Sequence, residues 1–543
     1  MTPSIISEPA WKSKAEAKRE AVKARIPTEW LIHANNLKEL REDVMAAPAK
    51  LLTAKELEIT QTASALELLR KLATGELSAV DVASAFMHRA AVATQLTNCG
   101  TEIFFDIGLE RAKYLDEYYA KHGKLIGPFH GLPISVKDSF NINDIDTTLG
   151  ITEFIGNANK FPQASMVNLL LDLGAVLYIK TNIPQTMMTA DSENNIFGRT
   201  LNPNDVSLTA GGSSGGEGAL VRQRGSIIGV GTDIAGSIRI PSACCYTYGL
   251  KPSSNRLPYN TRGYEDGPFS LGIETSSGPL ANTFEDLKFF FDTVVEKKPW
   301  AYDVNCSPSP LIKTEPIEKL RVGVIYECPL LPVHPPVKAA LRVAAHELEK
   351  AGHEIVTIKD FPSYDDGWKV ALSIFTIQIE GDEDLIEVLL RAEEPLIKSL
   401  SQGGIDHYVP KVADNLKEVV KLLRERKGFC QKWLEIFTKN NIDVLITPPS
   451  PSTAPPHDTY GIAPYTSMWN LVDYPALVIP YGKVETSYEA TAEYEPHLEG
   501  IYSKYDPEVF SKGLTSIQIV TPRALEEKLL AAGEVIDKVL NKV

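Results

Sequence analysis

The chain has 543 residues, 43% of them hydrophobic and 23% charged, which excludes a disordered polypeptide and leaves ample material for a buried core. A formal charge of −15 and a pI near 5.3 repel nucleic acid and anionic membrane, so neither is expected as a partner, and say little about a small neutral substrate. No run of about 18 apolar residues occurs, so no membrane span is expected.

Along the chain, residues 1–60 read as an N-terminal helical arm, and 61–543 as one large domain. Within the arm, residues 10–24 are rich in Ala, Lys, Arg and Glu and predict an exposed, peripheral helix. A basic membrane-surface helix is the sharper alternative, but Glu16 and Glu20 dilute its charge. Leu132, Ile134 and Val136 alternate with Ser135 and Lys137, the period of a strand. Ala164 to Leu173 predicts a helix stopped by Gly174, followed by a strand from Ala175 to Lys180. Ser226 to Val230 is strand-like. A Pro- and Ser-rich stretch at 300–316 is the candidate internal linker. Leu320 to Tyr326 predicts a strand and Pro335-Pro336 a helix start. Val337, Leu341, Ala344, Leu348 and Ala351 recur at helical spacing, Gly352 closes the helix, and His353 to Ile358 forms the next strand. This βαβ pattern predicts an α/β protein with a mainly parallel sheet and helices on both faces. Ile446 to Pro456 is a second loop. Cys99, Cys244, Cys245, Cys306, Cys328 and Cys430 lack CxxC or framework spacing and read as reduced thiols of a cytoplasmic protein. The N-terminus lacks the apolar stretch of a secretory signal, and Leu540 to Val543 carry no retention or peroxisomal address.

Three segments carry candidate chemistry. In Gly211-Gly212-Ser213-Ser214-Gly215-Gly216-Glu217 the glycines let backbone approach another chain or a ligand closely. The segment reads either as a flexible linker or, with the helix-like Gly218 to Arg224 behind it, as a packed loop at a helix N-terminus. It lacks the Lys of a phosphate-binding loop. In the second, Gly231 to Pro241, Ser237 follows small residues on a tight turn where backbone N–H groups can stabilise an oxyanion. The GxSxG elbow of an α/β-hydrolase is not met. In the third, Lys137 ends a strand. A lone lysine there is usually solvated, but burial would lower its pKa and make it a usable base.

Together these segments resemble the amidase signature family: GGSSGGE at 211–217, GTDIxGSIRxP at 231–241, and GLPISVKDS upstream, with the two serines 24 positions apart. The likeness extends to Thr181-Asn182-Ile183-Pro184-Gln185, Gly249-Leu250-Lys251-Pro252 and Gly278-Pro279-Leu280. Leu96 to Cys99, Leu115 to His122 and Pro299 to Asp303 resemble the fungal, acetamidase-type branch. The resemblance implies an α/β fold with a mixed central sheet flanked by helices on both faces. It implies a triad in which Ser237 is the nucleophile, Ser213, after a cis peptide from Gly212, the relay, and Lys137 the base. The N–H groups of Ile234, Ala235, Gly236 and Ser237 would form the oxyanion hole. Met187 would line the substrate path, at a position that resembles a channel wall in fatty-acid-amide-cleaving members. Neither metal nor organic cofactor is implied. Asp233 and Arg239 read as an ion pair that shapes the turn rather than as catalytic groups. Thr466 to Leu471 is expected to line the pocket.

Two positions depart from the family pattern: Ala235 stands where glycine is usual, and no glycine follows the Gln518-Ile519 run. The expected activity is hydrolysis of a small carboxylic amide. The rivals are an esterase or acyl-transferring biosynthetic enzyme on the same triad, a subunit acting on charged tRNA, which the acidic charge disfavours, and a silent scaffold. The acyl group and the oligomeric state stay open, a homodimer being one option.

Overall fold

The computed structural model describes residues 9–259, 271–329, 331–377, 385–401, 413, 415–483, 503–510 and 513–542. Residues 1–8 of the expected arm lie outside the described residues. The strands among them are β1 Gly100–Ile103, β2 Pro133–Lys137, β3 Val176–Thr181, β4 Glu193–Asn194, β5 Gly198–Arg199, β6 Ile228–Asp233, β7 Tyr248–Lys251, β8 Ser276–Ala281, β9 Arg321–Val324, β10 Glu354–Thr357, β11 Val444–Thr447, β12 Ala476–Lys483 and β13 Leu514–Val520. All but β4 and β5, which pair with each other, form one sheet in the order β1-β3-β2-β6-β8-β7-β12-β13-β11-β9-β10.

The sheet is mixed. Parallel pairing is confined to β3–β2–β6 and β11–β9–β10, and every other neighbouring pair is antiparallel. The expectation of a mainly parallel sheet is therefore corrected. It rested on local βαβ units, and those units are present: the Ser165–Asp172 helix leads into β3, and the Pro335–Lys350 helix joins β9 to β10. Both helices stop where a glycine takes positive φ, Gly174 at 97° and Gly352 at 96°. The antiparallel centre comes from strands distant in sequence, such as β7 with β12, which no local pattern encodes.

Every residue of β2, β3, β6 and β8 is buried, as expected for strands covered on both faces. The core around them runs from Phe86 and Leu177 to Leu477 and Leu529, and takes in Val22, Ile26 and Ile59 from the N-terminal segment. The helix expected at 10–24 spans Ala10–Lys23, with Ala15 and Val22 buried against the body. The stretch 300–316 holds only a short 3-10 turn, Pro299–Ala301, and is tied down by Ser307 N–H donating to the Asn255 carbonyl (3.0 Å).

Parallel pairing of β2 with β6 fixes the site. Val136 lies opposite Val230, so Lys137 and the Gly231–Thr232 end of β6 leave the sheet at the same edge. Carboxyl ends of adjacent parallel strands are the usual position for a site in an open α/β sheet. No helix among the described residues is long and apolar enough to cross a membrane.

Candidate active site

Lys137, Ser213 and Ser237 come from three separate segments, and the fold brings all three together. The Lys137 ammonium donates to Ser213 Oγ at 2.6 Å and to Thr232 Oγ1 at 2.8 Å. The peptide joining Gly212 to Ser213 is cis, as the resemblance implies. The two serine segments touch through the Ser214 N–H, which donates to the Ser237 carbonyl (3.1 Å). Exposure rises from 1% at Lys137 through 2% at Ser213 to 8% at Ser237. Ser237 is thus the most accessible of the three.

Burial lowers the Lys137 pKa to about 7, against the upward pull of the Asp233, Glu217 and Asp138 carboxylates. Glu217 is buried behind it and accepts from Ser135 Oγ (2.6 Å) and Thr181 Oγ1 (2.8 Å). Burial raises this carboxyl to about 8 despite those hydrogen bonds and the Lys137 charge. A Cβ at position 229 would collide with the Glu217 carboxylate, so Gly229 leaves the space it occupies.

The Ser213 loop is packed rather than flexible. Its helix starts at Gly215 and runs to Arg222, three residues ahead of the expected Gly218. The reason is close backbone approach: a Cβ on Gly216 would stand 2.6 Å from the Cys99 carbonyl oxygen and 2.7 Å from that of Asn182. Ser192 Oγ donates to the Gly211 carbonyl (2.9 Å) and accepts from the Gly215 N–H (3.1 Å).

The Ser237 turn is held by a buried ion pair. Arg239 Nη2 lies 2.9 Å from Asp233 Oδ1, both side chains being fully buried. Asp233 also accepts from the N–H groups of Gly236 (2.9 Å) and Ile238 (3.1 Å). Burial would raise the Asp233 carboxyl, but the Arg239 charge and hydrogen bonds outweigh it and hold the group at about 2. Arg239 donates further to the Thr466 carbonyl (2.8 Å), Gln518 Oε1 (2.9 Å) and Asn470 Oδ1 (2.6 Å). The pair is structural, as expected from sequence. Thr466 and Asn470, expected to line a pocket, instead hold this turn: Thr466 Oγ1 donates to the Ala235 carbonyl (2.7 Å) and Asn470 Nδ2 to Asp233 Oδ1 (2.9 Å).

Gly236 also departs from expectation, because Asp233 engages the N–H that the resemblance assigned to an oxyanion. No acceptor among the described residues engages the N–H of Ala235 or Ser237. The positive φ of the turn falls on Gly236, at 134°, and not on Ala235. A Cβ at Gly236 would strike the Thr466 side chain, so glycine is required there, whereas Ala235 carries its methyl without backbone strain. Ile234 and Ala235 are half-buried beside Ser237. Met187 is half-buried against the cluster of Leu149, Ile151, Phe154, Val388 and Leu389, with φ of 63°. It precedes by two residues the Thr189–Ala190 backbone on which Gly212 packs.

Sequence reading missed Thr232, Gln518 and the support from Glu217. The signal for Thr232 and Glu217 was their place inside the two glycine-rich motifs; for Gln518 it was the Gln-Ile run itself. Among the described residues no group of three His, Cys, Asp or Glu side chains could hold a metal ion.

Fold and sequence together define an enzyme of the amide hydrolase class. The chain belongs to the amidase family, whose model, described as Amidase, matches residues 81–530. It is 36% identical over 537 residues to an amidase of Gibberella moniliformis, covering 98% of this chain and 99% of the relative. It is 35% identical over 566 residues to an acetamidase of Emericella nidulans, with coverage of 98% and 99%. A solved structure of fatty acid amide hydrolase superposes with a TM-score of 0.89 at 32% identity, covering 98% of this chain and 95% of that one.

Proposed function

We propose that the chain is a serine amidohydrolase that splits the C–N bond of a small carboxylic amide into acid and ammonia through an acyl-enzyme on Ser237. The observation that carries this is the 2.6 Å approach of Lys137 Nζ to Ser213 Oγ, at a site where burial brings the lysine pKa to about 7. A neutral amine there presents a lone pair along the same line. Lys137 takes the Ser213 hydroxyl proton as Ser213 takes that of Ser237, and Ser237 Oγ attacks the amide carbonyl. The N–H groups of Ile234, Ala235 and Ser237 receive the oxyanion. The C–N bond breaks as the relay runs backwards and delivers a proton to the leaving nitrogen. Water then attacks the acyl carbonyl, its proton passes into the relay, and Ser237 is released with its hydroxyl restored.

The relatives named amidase and acetamidase support a small acyl group. The Ala235 methyl beside the nucleophile supports compact primary amides over N-substituted ones. Met187 is assigned to the wall of the substrate path. All three triad residues belong to one chain, so catalysis does not require a homodimer. The unpaired cysteines support a cytoplasmic location, and neither nucleic acid nor membrane enters the reaction.

A fluorophosphonate probe should label Ser237, and Ser237→Ala should remove both labelling and amide turnover. Full amidase rate in Ser237→Ala would end the assignment. A panel of amides and esters, with and without an amine acceptor, separates hydrolysis from acyl transfer.

A further inference from the structure

A row of alternating charge lies beside the triad on the β1-β3-β2 edge of the sheet. Strand β1 supplies Glu102, β3 supplies Lys180, and Asp138 follows Lys137 at the end of β2. Lys180 is fully buried, with Nζ 3.6 Å from Asp138 Oδ1, and donates to the Asp146 carbonyl (2.7 Å) and Thr147 Oγ1 (2.8 Å). Asp138 also accepts from Thr101 Oγ1 (3.2 Å) and the Leu149 N–H (3.0 Å). The outer end of the row is closed by the N-terminal helix. Lys18 Nζ lies 2.7 Å from Glu102 Oε1 and 2.8 Å from Asp146 Oδ2. Arg19 pins the helix there by donating to the carbonyls of Asn195 (3.1 Å) and Ile196 (2.7 Å). The Lys18 side chain is only 13% exposed, so these pairs are enclosed rather than screened by solvent.

The charges in this row depend on Lys18. Glu102 acts on both amines, Lys18 and Lys180, whereas the Asp138 carboxylate faces Lys180 and the Asp146 carboxylate faces Lys18. Without Lys18, Lys180 would be left to offset Glu102 as well as Asp138, and the Asp146 carboxylate would lose its ammonium partner. Lys137 already faces Asp233 and Glu217 as well as Asp138, and further uncompensated negative charge favours its protonated, unreactive form. We propose that Lys18 is a positioning residue of the active site: by offsetting the carboxylates of Glu102 and Asp146 it keeps Lys137 neutral, and so reactive, near neutral pH. This deepens the assignment of Lys137 as base and rests on it. Burial raises Glu102 to about 7 against the Lys18 charge, so it is partly protonated near neutrality. Asp146, in contrast, is held below the usual carboxylate value, burial being outweighed by Lys18 and the N–H groups of Gly156 and Ala158. Asp146 is therefore the carboxylate to remove in a compensating variant.

The test is the pH profile of kcat/KM for a primary amide, measured on the full chain as wild type, Lys18→Met, Lys18→Arg, Asp146→Asn and the Lys18→Met/Asp146→Asn double variant. Wild-type activity should rise with pH through about 7. Lys18→Met should move that midpoint up by about half a unit, about threefold lower kcat/KM on the acid limb, and converge with wild type in alkali. Lys18→Arg should keep the wild-type midpoint, and the double variant should return towards it. An unmoved midpoint in Lys18→Met, including a loss uniform across pH, would overturn the proposal. If Lys18→Met does not fold, Asp146→Asn alone should move the midpoint down, and an unmoved midpoint there would overturn it equally. A wild-type profile without a rise near neutrality would instead fail the base assignment itself.

Discussion

Ser213 and Ser237 stand on adjoining turns that are held in different ways. The Ser213 loop is fixed by shape: its glycines bring backbone against backbone, as where Gly216 meets the carbonyls of Cys99 and Asn182. The Ser237 turn is fixed by charge: one carboxylate, Asp233, gathers the N–H groups of Gly236 and Ile238 and the Arg239 guanidinium. Shape suits the relay role proposed for Ser213, which needs only to stay between two partners. The charged clamp leaves the Ala235 and Ser237 N–H groups without an acceptor among the described residues, as the proposed oxyanion site requires. Steric substitution should therefore damage the first turn, and loss of charge the second.

The largest effect is expected at Asp233. Asp233→Asn leaves Arg239 buried without its counter-ion and should cost about 3–5 kcal/mol, read from the urea midpoint, together with amidase activity. Adding Arg239→Met should recover part of the stability but not the activity, since the N–H groups of the turn stay unclamped. A stable, active Asp233→Asn protein would contradict the clamp.

Gly216→Ala should cost about 1–3 kcal/mol, because its methyl meets backbone that cannot rotate away. This loss should not depend on ionic strength. A neutral result would mean that the Ser213 loop is not held by close packing.

Smallest is the effect expected at Ala235. Its methyl neither strains the turn nor removes a donor, so Ala235→Gly should leave primary amide hydrolysis near wild type. The kcat/KM for N-alkyl amides relative to the parent amide should rise severalfold, below the about tenfold that a methylene in a pocket is worth. An unchanged ratio would show that the methyl points away from the substrate.

The same contrast explains what was legible in the sequence. The Ser213 loop could be read because its requirement is local: glycines within a few positions of two serines. Asp233 and Arg239 could be read as a pair because they lie six residues apart on one turn. The rest of the clamp could not, since Asn470 and Gln518 reach Arg239 from 231 and 279 residues away. The bonds of Thr466 and Asn470 to the turn could not be read, because nothing in Thr466 to Leu471 distinguishes a lining side chain from one bonded to the turn. The Gly236 N–H was misassigned for a similar reason: motif position names a donor but not its acceptor. In the fold, the glycine-stopped βαβ units were readable, while the antiparallel centre depends on strands whose partners lie far along the chain. The exposed helix at 10–24 was read from composition, which does not reveal that Lys18 faces inward to Glu102 and Asp146.

The central claim is that Lys137, acting through Ser213, moves the proton that a poor leaving group needs. Its most direct test compares Lys137→Ala with wild type on an amide and on an activated ester of the same acyl group. The amine must be protonated to leave, whereas the ester alcohol departs unaided. Amide turnover should fall by about 100- to 10,000-fold, the range for general acid–base catalysis, and ester turnover by much less. An equal fall on both substrates, or an undiminished amide rate, would contradict the assignment.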